Sequence, residues 1–283
     1  MTILDLQGNQ WLDLLNATPS LVRAIAFLLA WVLVWVPIAI PLAKLLKWHP
    51  AKPLAAEQKL PMLASLYLIA PLIVWGAVQV EGMSLADCGL DWQPAIFISL
   101  ALGLGLGIGS LAFVFTAESW LGWIEWHLEN RQRLWSVFLP ILGLGLWVGI
   151  TEELIFRGFL LNELGRDYFI WIAAAISSAI FALSHLVWEP KKAVPQLPGL
   201  WLMGMVLVGA RLADSGSLGL AWGLHSGWIL GLSSLEAAGL ISYTGKGSDW
   251  MSGLEGQPLA GVAGILCLLG TSLVLWFFSA NLG

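Results

Sequence analysis

The chain has 283 residues, 58% of them hydrophobic and only 11% charged, whereas soluble domains average about 45–50% apolar and about 25% charged. A formal net charge of -5 with no basic run excludes a nucleic-acid footprint. A mean hydropathy of +0.82 excludes a soluble fold of this size, which must cover itself with polar groups. What remains is an all-α, polytopic membrane bundle. Cys88 and Cys267 stand alone, without C-x-x-C spacing, so neither a disulfide framework nor a zinc knuckle is expected. Many of the 18 Trp residues flank apolar runs, as interfacial anchors do.

The first twenty residues hold Asp5 and Asp13 and show no basic stretch, short apolar run and cleavage site in succession. The N-terminus is therefore expected to be retained, with the first span as a signal anchor. A membrane helix needs about 20 apolar residues, and eight candidates follow in order. They are Leu21–Leu46, broken by Pro37 and Pro41, then Pro61–Val80, Pro94–Thr116 and Leu134–Leu161, which contains Pro140. Tyr168–Trp188, the short Pro198–Arg211, Leu218–Leu235 and Leu259–Phe278 complete the set. Gly103, Gly105, Gly107 and Gly109 in the third span give small-x-x-x-small faces for close helix packing, not a phosphate loop, which needs a preceding strand. The Gly- and Ser-rich stretch from Thr244 to Gln257 is expected to be a loop.

Lys44, Lys47, Lys52 and Lys59 cluster after the first span, whereas Glu81, Asp87 and Asp91 follow the second. The positive-inside rule puts the first loop in the cytoplasm, together with Lys191 and Lys192, and the N-terminus outside. The expected division is residues 1–133 as N-terminal membrane helices and residues 134–283 as a core that carries the chemistry.

That chemistry begins in the fourth span, where Glu152, Glu153 and Arg157 interrupt an apolar run. Unpaired, three such charges would cost on the order of 8–10 kcal/mol, so they must be compensated. Glu153 and Arg157 are four apart, share a helix face and stand in the favourable order. Glu152 points about 100° away and is left to face something else. Two histidines on apolar helices are candidates: His185, expected deep in the fifth span with Phe181 one turn before it, and His225 in the seventh span, flanked by Gly223 and Gly227. His49 and His127 sit in polar loops and receive no role. Glu189 is read as marking the polar end of the fifth span, not as a group orienting His185.

One carboxylate and two imidazoles offer hydrolysis. A buried Glu152 can take a proton from water, and a histidine can orient that water, hold a metal or donate to an oxyanion. The two flanking glycines would let a substrate backbone approach His225. There is no H-E-x-x-H, no G-x-S-x-G and no intramembrane pair of Asp residues, which sets aside zincin, serine-elbow and dual-aspartate sites.

Glu152-Glu153-x-x-x-Arg157, Phe181-x-x-x-His185 and His225, in that order on separate apolar helices, resemble the three motifs of the CPBP family. This CAAX protease and bacteriocin-processing family is also called Abi. Phe156 and Gly158 around the arginine share the likeness. The resemblance implies an intramembrane endopeptidase with Glu152 as main catalytic carboxylate, His185 working with it on water and His225 stabilising the oxyanion. Glu153, Arg157 and Phe181 would support them. Metal use stays open: Glu152, His185 and His225 would either hold a divalent ion such as zinc or act without one. The expected partners are the lipid bilayer and a peptide or protein substrate.

One position departs from the pattern. Four residues after His225, where the family often has Asn, stands Ile229, and losing an oxyanion donor can cost about 10²–10³-fold in rate. Ser226 or a backbone N–H is left as substitute. The alternative function is a catalytically silent scaffold or binding protein on the same fold. An ion-coupled transporter ranks below both, for want of an inverted repeat.

Overall fold

Apolar runs of this length satisfy their backbone in lipid only as helices, and they do so here. The protein is seen in a computed structural model that describes residues 17–49, 54–187 and 190–282. The first sixteen residues, and with them the polar flank of the expected signal anchor, lie outside the described residues, as does Glu189.

The long helices are α1 (Ser20–Leu45), α2 (Ala56–Val80), α3 (Pro94–Trp120), α4 (Arg131–Glu153), α5 (Ile170–Ser184), α6 (Leu197–Ala213), α7 (Gly219–Ala238) and α8 (Val262–Leu282). Among the described residues, seven segments are long and apolar enough to cross a membrane, and they carry every long helix except α7. The protein is thus a multi-pass integral membrane protein. The short sixth candidate extends to Pro190–Ala213 by taking in the turn helix Pro190–Ala193 and the 3-10 turn Val194–Gln196. The seventh candidate is a helix but is not apolar enough to count as a lipid-facing span. The reason is its position: α7 packs against α3, α4 and α6 and is buried over most of its length. A helix enclosed by helices can afford His, Ser and Gly where a lipid-facing one cannot. The lipid-facing surface instead falls to exposed Leu33 of α1, Leu68 of α2, Phe113 of α3 and Leu273 of α8.

Among the described residues, the all-α expectation holds apart from one small ribbon. Strand β1 (Ile124–Trp126) pairs antiparallel with β2 (Ile241–Tyr243), with Glu125 opposite Ser242. His127 Nε2 lies 2.8 Å from Ser242 Oγ and steadies the ribbon. The expected loop from Thr244 to Gln257 contains the one-turn helix Asp249–Ser252 and the 3-10 turn Leu254–Gly256.

The glycines of α3 divide by face. A Cβ on Gly103 would stand 2.3 Å from the Leu220 carbonyl oxygen, and one on Gly107 would stand 2.6 Å from that of Leu224. Gly105 and Gly109 have open space around them. The opposing face is on α7, where a Cβ on Gly223 would meet the Leu100 carbonyl oxygen at 2.0 Å and one on Gly227 the Leu104 carbonyl oxygen at 2.7 Å. Gly223 and Gly227 therefore receive the backbone of α3, not a substrate, which corrects the expectation for them. Small residues four apart let the two helices touch backbone to backbone. Gly223→Leu forces them apart and is expected to cost about 3 kcal/mol, the upper end of ordinary overpacking. Gly105→Leu should leave the melting temperature in detergent unchanged. Equal melting of the two variants would contradict this interface.

Two polar ties hold α1 to the end of the α4 segment. The Asp167 carboxylate accepts the Ser20 N–H at 2.6 Å, placing negative charge at the N-terminus of α1. That N–H holds the Asp167 carboxyl below its usual range. Arg23 Nε meets Glu163 Oε1 at 2.6 Å, both side chains being buried.

Candidate active site

The charged motif lies where α4 changes pitch. After Glu153 the chain continues as a π-helix, Leu154–Leu160, and returns to α-helix at Leu161–Leu164. Such π segments are rare and concentrate at functional sites. Here the segment is buried throughout, together with Glu152 and Glu153. Arg157 Nη1 donates to Glu153 Oε1 at 3.0 Å, the pairing that the four-residue spacing predicted. Its guanidinium lies 4.3 Å from the centroid of the Phe181 ring, whose face supplies further compensation for the charge. Arg211 Nη1 donates to the Arg157 carbonyl oxygen and, at 2.9 Å, to Asn162 Oδ1. Arg211 thus occupies a carbonyl that the widened π turn presents.

His225, buried on α7, stands between the two carboxylates. Its Nδ1 is 2.8 Å from Glu153 Oε1 and its Nε2 is 3.5 Å from Glu152 Oε2. A carboxylate oxygen only accepts, so Nδ1 carries the proton shared with Glu153. Glu152 therefore faces His225 and also Tyr67 of α2, whose hydroxyl donates to Glu152 Oε1. Neither the Glu153–His225 contact nor Tyr67 was anticipated from the sequence.

His185 is not deep within its span. Helix α5 ends at Ser184, and His185 opens a 3-10 turn. Its Nδ1 lies 2.9 Å from the Phe181 carbonyl oxygen, one of the acceptors that a helix C-terminus leaves without backbone partners. That contact assigns the proton to Nδ1 and leaves Nε2 as the acceptor of the neutral ring. The Phe181 ring packs edge-on against both imidazoles, with centroids 4.9 Å from His185 and 6.0 Å from His225. Phe181 is therefore the spacer that joins both histidines to Arg157.

Glu152, His185 and His225 together line a cavity of about 350 Å³, walled otherwise by side chains such as Leu200, Met203, Trp228 and Leu268. Glu152 and His185 also line a second cavity of about 810 Å³, edged by Tyr67, Lys59, Lys192 and Glu236. The two meet at the carboxylate, and the second is the more polar of them. Lys59 and Lys192, one from each of the two basic stretches, edge the same cavity. Ile229 lines the apolar cavity, so the departing position does reach the site. Ser226 does not replace it: its Oγ donates to the Gly145 carbonyl oxygen at 3.0 Å, facing α4.

Two titratable groups nearby are held in their neutral form. Burial, reinforced by the Glu118 carboxylate, pushes the Tyr243 hydroxyl up to about 12, so it stays neutral. Burial pushes the Cys88 thiol up to about 11 despite Arg211 nearby, and Cys88 packs over Gly158 of the π turn. A thiol held protonated in this way is a poor nucleophile.

A shared metal site is a poorer fit than a shared cavity. Among the described residues, no three or more His, Cys, Asp or Glu side chains are gathered closely enough to hold an ion. His225 has Nδ1 committed to Glu153 and Nε2 turned toward Glu152.

The span count and the charged cavity inside the bundle define the class, a polytopic membrane bundle with ionisable side chains in its interior. A family model described as type II CAAX prenyl endopeptidase Rce1-like matches residues 134–230. That stretch contains Glu152, Glu153, Arg157, Phe181, His185 and His225, and over it the chain is similar to the CPBP family. The match supports a CAAX-type intramembrane protease fold. Neither the curated proteins nor the solved structures gave a match.

Proposed function

We propose that the protein is an intramembrane endopeptidase that hydrolyses a peptide bond of a membrane-embedded or membrane-proximal substrate. One observation carries this reading: Glu152, His185 and His225 line a single cavity inside the helical bundle. Residues 134–283 are taken as the part that bears the chemistry.

The roles follow from the hydrogen bonds. His185 Nε2, free to accept, orients a water whose other proton goes to Glu152. The water oxygen bonds to the peptide carbonyl carbon, and negative charge develops on the carbonyl oxygen. His225 donates to that oxygen from Nε2, which requires the imidazolium form. The Glu153 carboxylate on Nδ1 fixes the ring plane. Arg157 pairs with Glu153 at 3.0 Å and holds that carboxylate in place. The proton on Glu152 then passes to the departing amine nitrogen as the carbon–nitrogen bond breaks.

A scaffold without catalysis is favoured by one observation. Ile229 presents an apolar side chain to the cavity where the family often has a donor, and Ser226 is turned away. The two readings separate in a simple assay. Detergent-purified protein incubated with a library of membrane-segment peptides should yield defined products that are lost in His185→Ala and His225→Ala. Equal cleavage by either variant would remove that histidine from the mechanism, and no cleavage by the wild type would favour the scaffold.

A further inference from the structure

We propose that Tyr67 is a positioning residue for Glu152, supplied by a helix that lies outside the family-matched segment. The use of this contact in catalysis rests on the endopeptidase reading.

The observation is a division of labour between two oxygens. Tyr67 donates its hydroxyl proton to Glu152 Oε1, while Oε2 lies 3.5 Å from His225 Nε2. A carboxylate at the end of a flexible side chain presents either oxygen. One held by an O–H donor presents only the other, and orientation of this kind is a large part of what a site contributes to rate. Both Tyr67 and Glu152 line the second cavity, so the donor and the base face the same space.

The local sequence holds the tyrosine there. Ala70, Val74 and Val78 form a buried stripe that docks α2 on the bundle, and Tyr67 continues it one turn toward the N-terminus. Pro71 has no N–H to offer the Tyr67 carbonyl four residues earlier, so the helix is weakened at this turn and can bend there. The edge of Trp147, with centroids 6.2 Å apart, limits the swing of the phenol ring. A phenylalanine would fill the same space, so the hydroxyl is the part that packing does not require.

The test is Tyr67→Phe, compared with wild type and Glu152→Gln by two measurements. Infrared spectroscopy identifies the Glu152 carboxylate band by its loss in Glu152→Gln, and that band should move in Tyr67→Phe. In peptide cleavage, kcat should fall about 10- to 100-fold with KM unchanged, the size expected for a hydrogen bond to a charged group. Tyr67→Phe should add nothing in the Glu152→Gln background, because the two act as one unit. An unmoved band, or a kcat equal to that of wild type, overturns the positioning role. A moved band in a protein whose wild type cleaves no peptide sustains the Tyr67 contact and overturns the endopeptidase reading instead.

Discussion

Glu152→Gln is expected to slow peptide cleavage by about 10²- to 10⁴-fold, the usual loss when a general base is removed. Glutamine keeps the volume of the side chain and an oxygen to accept from Tyr67, so the cavity should keep its shape. What disappears is the oxygen that takes a proton. Stability should hold or rise, because one of two adjacent buried carboxylates is neutralised while Glu153 keeps Arg157. The check is a cleavage assay paired with thermal melting in detergent. Wild-type cleavage by a normally folded Glu152→Gln protein would remove Glu152 from the mechanism.

Arg157→Met should destabilise the protein by about 3–5 kcal/mol, the cost of leaving one member of a buried ion pair behind. Both partners are fully buried, so water cannot take over the role of the lost guanidinium. The variant also loses the stacking on Phe181 and leaves the negative Glu153 beside His225 with no counter-charge but the imidazole. Pairing it with Glu153→Gln should recover most of the stability, since replacing a whole buried pair is far cheaper than breaking it. The double variant should still cleave slowly, because His225 loses the carboxylate that fixes its ring. Equal melting of Arg157→Met and wild type would show that the pair is not what stabilises this turn.

The spans were legible because lipid imposes a simple rule on length and apolarity, which each helix must satisfy by itself. Helix α7 was legible as a helix but its setting was not, since enclosure by α3 and α4 depends on faces contributed from distant parts of the chain. The same limit explains the glycines: Gly103 and Gly223 are small for each other, and spacing alone did not reveal the partner. In the site, the Glu153–Arg157 pair was readable because it is local, four residues apart on one helix. The place of His185 was misread because apolarity runs on past the helix end, although Pro190 nearby signalled a stop. Tyr67 was invisible: it reaches Glu152 across 85 positions, and a tyrosine in an apolar span is ordinarily a packing residue. The bond between His225 and Glu153 spans 72 positions and was hidden for the same reason.

The central claim is that this bundle adds water across a peptide bond with Glu152 as base. The direct measurement is mass spectrometry of peptide products formed by the purified protein in ¹⁸O-labelled water. The account predicts a new C-terminal carboxyl carrying ¹⁸O with the wild-type protein and none with Glu152→Gln. Labelled product at the same rate from both proteins, or none from a folded wild type offered a broad membrane-peptide library, would contradict it.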